Sequence, residues 1–246
     1  CLSDWSSDVC SSDLLHRIAT DLRDEPIALR FLYAYPEFRN WWQDPRLLGI
    51  ARSILGEELV FFFDYHIHRY LFEPGAPILG RHLHHDAKGT SENLFNRLNT
   101  PAVDYPVIRM IVYLQDTTRF SGGLKIVPGS HLVDVSHFNH PSLKLVNVDT
   151  EPGDVVVFNQ RLLHSPYALR PKGQPNVSIP PFTEDEHYAR DPSVFLPVPH
   201  SREAVFIDYA RDDPRTDFFI KNRAILSQPR DMELAEYLID RSEEHT

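Results

Sequence analysis

The pattern of hydrophobic and polar positions divides the chain into a helical first part and a strand-rich remainder. Residues 15–35 carry apolar side chains at helical spacing, and Pro26 divides the run. A sharper helix is predicted between Asp44, a good N-cap followed by Pro45, and Gly56, a common helix stop. The apolar residues between these ends form one stripe: Leu47, Leu48, Ile50, Ala51, Ile54 and Leu55.

After Gly56 the chain consists of short apolar runs separated by turn-forming residues. We predict strands over residues 59–63, 65–72, 107–114, 123–127, 143–148, 154–158 and 204–209. Turns rich in glycine, proline and serine are predicted at residues 73–75, 121–123, 128–130 and 151–153. Because helices come first and strands follow, a mainly β domain with flanking helices is favoured over an alternating α/β fold. Short strands with regular turns predict a jelly roll.

The two ends of the chain carry a pattern of a different origin. If residues 241–246 are encoded by AGATCGGAAGAGCACACN, the reverse complement of that DNA encodes Val-Cys-Ser-Ser-Asp-Leu, which is residues 9–14. Unrelated protein ends are not expected to be complementary, so we interpret residues 1–14 and 241–246 as translated sequencing adapter. The alternative is a disordered tail rich in serine and aspartate. Residues 15–240 are then expected to form a single domain with truncated termini.

Composition narrows the class of protein. A hydrophobic content of 42% is ample for a core, and a net charge of −10 argues against a nucleic-acid-binding surface. Both cysteines, Cys1 and Cys10, lie in the first adapter-like segment, so residues 15–240 have no disulfide or thiolate chemistry. That fits a reducing compartment, and we expect a cytoplasmic location. No apolar run in this range is long enough to span a membrane, so no membrane partner is expected.

The candidate chemistry begins with His84 and Asp86, which lie two positions apart in an extended segment. Residues at this spacing on a strand point to the same face, so an imidazole and a carboxylate can converge. A second histidine would complete a facial triad, which leaves three coordination positions open, as in non-haem iron(II) oxygenases. His164 is the candidate, since it follows a turn at Gly153 and an apolar strand. In a chain with 13 histidines, however, His-x-Asp alone is more often a surface turn with solvated polar residues than a metal site.

Three sequence blocks add context, and together they resemble the phytanoyl-CoA dioxygenase-like family of 2-oxoglutarate oxygenases. The first block is His-His-Asp at residues 84–86. The second, the most specific, is Tyr-Leu-Gln-Asp at residues 113–116 followed by Ser-Gly-Gly-Leu-Lys-Ile-Val-Pro-Gly-Ser-His at residues 121–131. The third is Glu-Pro-Gly-Asp-Val-Val-Val-Phe at residues 151–158 with His164 and Ser165. The resemblance extends over roughly residues 45–225.

This resemblance implies a double-stranded β-helix, which is a cupin-like jelly-roll barrel, with iron(II) held by His84, Asp86 and His164. It also implies 2-oxoglutarate and molecular oxygen as co-substrates. A small organic molecule would be hydroxylated, with release of succinate and carbon dioxide. The carboxylate of Asp86 favours hydroxylation over halogenation, because related halogenases have a small residue at that position. His131, by the same resemblance, is expected to support the site rather than to bind the metal.

The sequence departs from the family pattern at one position, where the family has an arginine that holds the distal carboxylate of 2-oxoglutarate. This arginine usually follows the second histidine by about ten residues, but that window ends near Asn176 and offers no arginine at the expected place. Arg202 is one candidate, at the start of a predicted strand, which implies that residues 166–200 are an insertion over the active-site mouth. Arg170 is a second candidate, although it precedes a turn-like Pro-Lys-Gly sequence.

If neither arginine serves, the alternative is a non-catalytic β-helix protein that binds a small molecule or a partner. A further alternative is a cupin-like enzyme that uses another metal without 2-oxoglutarate. Cupins usually bind the metal with more histidines and lack the block at residues 121–131, which disfavours this interpretation.

Four other histidines lie near the predicted site. His82 and His85 flank its ligands, and His85 is expected to face away from them, packed or exposed. His66 and His68 share one face of a predicted strand and are either lining residues of the substrate cavity or ordinary polar strand positions.

Overall fold

The computed structural model describes residues 43–71, 83, 84, 86, 106–132, 144–174, 177–199 and 201–216. The predictions for residues 1–35 and 241–246 therefore lie outside the described residues. The helices are α1 (Pro45–Leu55) and α2 (Pro181–Arg190), with 3-10 turns at Ser130–Leu132 and Pro192–Val194. The strands are β1 (Leu59–Leu71), β2 (Val107–Tyr113), β3 (Gly123–Ile126), β4 (Val146–Val148), β5 (Val155–Asn159), β6 (His164–Ala168) and β7 (Ser201–Arg211). None of the helices in these ranges has the length and apolar character needed to cross a membrane.

The strands form two antiparallel sheets. The four-stranded sheet has the order β1-β7-β2-β5, and the three-stranded sheet has the order β4-β3-β6. An isolated antiparallel bridge between His84 and His164 extends the smaller sheet beyond β6. Neighbouring strands are mostly distant in sequence, as expected when a chain winds between the two sheets of a jelly roll. The predicted fold class is confirmed.

Successive side chains of β2 and β7 point to opposite faces of the four-stranded sheet, and both faces are apolar. One face packs against α1, whose Leu47, Ala51 and Leu55 are buried on it. The other faces the three-stranded sheet and forms the interior of the barrel. The buried residues of this inner cluster are Ile111, Tyr113, Leu124, Phe158, Leu162, Ala204 and Phe206.

The ends of α1 are those that the sequence predicts. A carboxylate oxygen of Asp44 accepts a hydrogen bond of 2.9 Å from the backbone N–H of Arg46, and Pro45 begins the helix. At the other end the N–H of Gly56 donates to the carbonyl of Arg52 at 2.9 Å. Gly56 has φ 101°, a backbone conformation that side chains with a Cβ rarely adopt. Glycine therefore allows the chain to leave the helix and enter β1.

The strand region differs from the prediction in two places. Where two strands were predicted over residues 59–72, the structure has the single strand β1, whose register against β7 shifts between Phe62 and His66. A bulge of this kind interrupts the alternation that sequence analysis depends on, which explains the predicted break. The other strands keep their places with bounds moved by one to three residues, whereas β6 and α2 were not predicted.

The segment between β6 and β7 does not lie where it was expected. Lys125 alternates with Leu124 and Ile126, which pack between the sheets, so its side chain is on the outer face of β3. There it donates to the carbonyl of Ile179 and pairs with Glu184 of α2. The middle of this segment, which includes Ile179 and α2, therefore covers the outer face of the three-stranded sheet rather than the mouth of the barrel. A fully buried lysine requires an anionic partner, and α2 provides it.

Candidate active site

His84 and His164 are brought together by backbone pairing. The N–H of His84 donates to the carbonyl of His164 at 2.9 Å, and the N–H of His164 donates to the carbonyl of His84 at 2.8 Å. Directly opposed residues of an antiparallel pair project to the same side, so the two imidazoles are neighbours. Their ring centroids are 4.4 Å apart.

Asp86 completes the group. Its backbone N–H donates to the carbonyl of Gln160 at 3.1 Å, which positions the segment two residues beyond His84. The carboxylate oxygens lie 3.9 Å from Nε2 of His84 and 3.6 Å from Nε2 of His164. Among the described residues, these three form the group of His, Cys, Asp or Glu side chains that could hold a metal ion, with donor atoms within 4.8 Å of one another. The spacing is somewhat wider than the roughly 3 Å between adjacent donors that bonds near 2.1 Å imply.

The surroundings of His164 suit a metal ligand. Nδ1 lies 2.9 Å from the carbonyl of Leu162, and because a carbonyl only accepts, Nδ1 donates. The lone pair of the neutral ring is then on Nε2, the nitrogen that faces Asp86. His164 is 5% exposed, and the ring of Phe158 lies 5.0 Å away, so this side of the group is dry. The donor set and its support therefore fit a metal such as iron.

The block at residues 121–131 positions the strand that carries His164. Near its end, the Ser130 hydroxyl accepts from the N–H of Leu163 at 2.8 Å, and the N–H of Val127 donates to the Leu163 carbonyl at 2.9 Å. Near its start, the N–H of Gly122 donates to the carbonyl of Ala168 at 2.9 Å. Gly122 has φ 110°, and Gly129 in the second turn has φ 79°. The glycines of this block therefore shape the two turns that hold β6 at both ends.

Two buried charged residues behind Asp86 were not anticipated from the sequence. Arg109 of β2 donates to both carboxylate oxygens of Asp208 of β7, from Nε at 2.8 Å and from Nη2 at 2.6 Å. Its Nη1 lies 2.9 Å from Oδ2 of Asp86. Gln160 donates from Nε2 to Asp208 at 2.7 Å. The signal that could have found them is a charged residue inside an apolar run of each strand, namely Arg109 in β2 and Asp208 within residues 204–210 of β7.

Arg202 lies on the inner face of β7. Residues two apart on a strand share a face, so Arg202 lies on the same face as Ala204 and Phe206, which belong to the inner cluster. Its side chain is 2% exposed. Nε donates to the carbonyl of Gly122 at 2.9 Å, and Nη2 donates to the hydroxyl of Tyr113 at 3.1 Å. The Arg202 guanidinium is therefore inside the barrel, as expected for the first candidate arginine.

Arg170 has a different environment. Nη1 donates to the carbonyl of Thr117 at 2.9 Å and also pairs with Asp149. The side chain is buried, whereas the turn after it is largely exposed. Arg170 thus connects two loops beside the smaller sheet, and its guanidinium already has an anionic partner.

Among the residues that the structure describes, no further histidine joins the group. His131 lies in the 3-10 turn Ser130–Leu132 and is partly exposed. His66 and His68 stand opposite Phe206 and Ala204 in the register of β1 and β7. Their predicted role in lining a cavity remains a prediction, and His82 and His85 lie outside the described residues.

Comparison with known proteins now adds to this geometry. The family model described as phytanoyl-CoA dioxygenase (PhyH) matches residues 11–170, which include all three side chains of the group. The chain belongs to the phytanoyl-CoA dioxygenase family. This membership confirms the resemblance carried by the three sequence blocks. None of the curated protein sequences matches the chain.

Solved structures similar to this member of the phytanoyl-CoA dioxygenase family share its fold. The non-heme alpha ketoglutarate dependent epimerase SnoN from nogalamycin biosynthesis has a TM-score of 0.54 at 17% identity, covering 83% of this chain and 73% of its own. EctD from S. alaskensis, solved with 2-oxoglutarate and 5-hydroxyectoine, has a TM-score of 0.51 at 18% identity, covering 83% of this chain and 71% of its own. At these identities the likeness establishes the jelly-roll fold.

Proposed function

We propose that the chain is an iron(II)- and 2-oxoglutarate-dependent oxygenase that hydroxylates a small organic molecule. The observation that carries the proposal is the convergence of His84, Asp86 and His164 in a member of the phytanoyl-CoA dioxygenase family, with donor atoms within 4.8 Å. Two neutral imidazoles and one carboxylate on one side of a metal leave the remaining coordination positions open for co-substrate and oxygen. SnoN and EctD are described with the same co-substrate, which supports it here.

The three side chains would hold iron(II), which when bound supplies the oxidation coupled to conversion of 2-oxoglutarate into succinate and carbon dioxide. The carbonyl of Leu162 fixes the ring of His164, so that Nε2 faces the centre. Phe158 and the buried strand positions around it exclude water from one side. Asp86 provides a carboxylate where a small residue would leave room for a halide, which favours hydroxylation.

Arg202 would hold the distal carboxylate of 2-oxoglutarate. Its guanidinium is buried inside the barrel, beside the hydroxyl of Tyr113, and a planar guanidinium can meet a carboxylate through two charge-assisted hydrogen bonds. Arg170 is less suited because its guanidinium is paired with Asp149. The inward placement of Arg202 favours the catalytic proposal over a binding protein that has lost its co-substrate site.

Succinate release from 2-oxoglutarate, measured with iron(II) and oxygen across a panel of small organic molecules, tests the proposal. We expect succinate to form in proportion to a product that gains one oxygen atom, detected by mass spectrometry. Succinate formed with a product of unchanged mass would indicate epimerisation instead. A folded chain that binds no 2-oxoglutarate and releases no succinate with any compound would favour the non-catalytic alternative.

The Asp86→Ala variant tests the metal group in the same assay. We expect succinate release to fall to background while the thermal unfolding temperature stays near that of the parent chain, because Asp86 is a site residue rather than a core residue. Asp191→Asn is a matched control, since Asp191 is an exposed aspartate that caps the 3-10 turn Pro192–Val194. Full activity in Asp86→Ala would show that the metal group has been misassigned.

A further inference from the structure

The buried residues Arg109, Asp208 and Gln160 form a clamp behind Asp86. Arg109 is 5% exposed, and Asp208 and Gln160 are fully buried. The clamp touches Asp86 twice, since Nη1 of Arg109 lies 2.9 Å from its carboxylate and the Gln160 carbonyl accepts from its backbone N–H at 3.1 Å. Asp208 connects the two contacts, because it accepts hydrogen bonds from both Arg109 and Gln160. The four residues therefore form a closed ring, in which hydrogen bonds make every link except the ion pair between Arg109 and Asp86.

We propose that Arg109 is a positioning residue that fixes the orientation of the Asp86 carboxylate and thereby tunes metal affinity. The inference rests on the proposed metal site. The bidentate contact of Nε and Nη2 with Asp208 fixes the guanidinium plane. Since the group is rigid, the position of Nη1 is fixed as well, and with it the Asp86 oxygen that it contacts. The ring of Phe206, 5.4 Å from the guanidinium carbon, supports this plane.

The need for this clamp follows from the way Asp86 reaches the site. His84 and His164 are locked to each other by a pair of backbone hydrogen bonds, and Asp86 is joined to Gln160 through its backbone N–H. Its side chain is 13% exposed and can rotate about two bonds. A fixed guanidinium selects one rotamer before metal arrives. Partners of metal ligands placed in this way typically change metal affinity by about 10- to 100-fold.

Cobalt(II) binding to the full chain tests the proposal without reference to turnover. The informative variant is Arg109→Met with Asp208→Asn, which removes one positive and one negative charge and leaves the net charge of the site unchanged. We expect about 10- to 100-fold weaker cobalt(II) binding and an altered ligand-field absorption spectrum. Arg109→Lys keeps the charge but not the planar fork, so it should restore only part of the affinity. A spectral change reports ligand geometry, which a general loss of stability would not alter.

The matched control is Lys125→Met with Glu184→Gln, which removes another buried ion pair on the outer face of β3. It should lower stability and leave cobalt(II) affinity within about twofold of the parent chain. A folded double variant at Arg109 and Asp208 with parental affinity and spectrum would overturn the clamp. If that variant does not fold, parental affinity and spectrum in Arg109→Lys would overturn it equally. A parent chain that binds no cobalt(II) would overturn the metal site itself, and the clamp with it.

Discussion

Arg202 is the residue on which co-substrate binding is expected to depend. We expect Arg202→Ala to weaken 2-oxoglutarate binding by roughly 2–5 kcal/mol, because the distal carboxylate would lose a buried charged partner. Arg202→Lys should lose less, since it keeps the charge without the planar fork. The Michaelis constant for 2-oxoglutarate and its binding heat provide the measurement. Tyr113→Phe removes a hydroxyl that contacts Arg202, and it should weaken 2-oxoglutarate binding less than Arg202→Ala does.

An unchanged 2-oxoglutarate requirement in folded Arg202→Ala would contradict this assignment. Arg170→Ala then becomes the next variant to examine, although its pairing with Asp149 predicts an effect on stability instead. If neither variant changes co-substrate binding, the non-catalytic interpretation gains support.

At the residue scale, the sequence predicts contacts that follow from local spacing. His84 and Asp86 lie two positions apart, and His164 follows a recognisable turn and strand, so their convergence can be anticipated. The contact between Arg109 and Asp208 joins residues 99 positions apart, and it depends on the register of β2 against β7. The pattern of apolar and polar residues along the two strands does not fix that register by itself. The charged residues of the clamp could be noticed in the sequence, but their contact could be found only in three dimensions.

The N-terminal end of α1 is sensitive to pH through Asp44. The Arg46 side chain, which donates to its carboxylate, holds the pKa of Asp44 below the ordinary value of 3.8, and the backbone N–H of Arg46 adds to this effect. A pKa lowered in the folded state means that the stabilisation is present above pH 3.8 and is lost as pH falls through the folded pKa. We expect Asp44→Ala to cost about 1 kcal/mol at neutral pH.

Urea unfolding of the parent chain and of Asp44→Ala at a series of pH values checks this expectation. The difference in free energy of unfolding should shrink as the pH falls through the folded pKa. Asp44→Asn is the control, because an amide oxygen can still accept from Arg46 but does not titrate. A difference that stays constant with pH would show that the carboxylate charge is unimportant.

The two glycines of the α1 region should respond in opposite directions to the same change. Gly56→Ala places a Cβ on a residue at φ 101°, so we expect a loss of about 1–3 kcal/mol from backbone strain. Gly49→Ala, inside the helix and exposed, should instead stabilise by up to about 1 kcal/mol. Neither Cβ would meet an atom within 4 Å, so steric contacts do not complicate the comparison. Free energies of unfolding in urea that moved in the same direction would contradict the conformational explanation.

At the element scale, predictions succeed where local chemistry is decisive. The cap, the proline and the stop glycine define α1, and glycine-rich turns bound most strands. The prediction fails in β1, where a bulge against β7 joins two runs into one strand. It also fails for α2, whose mean hydropathy is low and whose position depends on the buried partner Lys125 rather than on an apolar stripe. Tertiary contacts decide these cases.

At the scale of the whole molecule, the order of helices, strands and turns is sufficient to predict a jelly roll. It does not show which strands are neighbours, because β7 pairs with β1 and β2 across long stretches of sequence. The placement of residues 177–184 on the outer face of the smaller sheet is a similar long-range result. The charged side chain of Lys125 specifies it, since it must be neutralised once β3 is buried.

The two adapter-like ends provide the last prediction, which concerns the molecule as a single cooperative unit. Complementary DNA can explain residues 9–14 and 241–246 together, and such segments carry no history of selection for packing. We therefore expect a chain of residues 15–240 to unfold in urea within about 0.5 kcal/mol of the 246-residue chain, as for surface changes away from special features. Its cobalt(II) affinity should be unchanged, because the metal group lies in the barrel. A clear loss of stability on removing either end would show that the segment is part of the fold, and removing each end separately would identify which one.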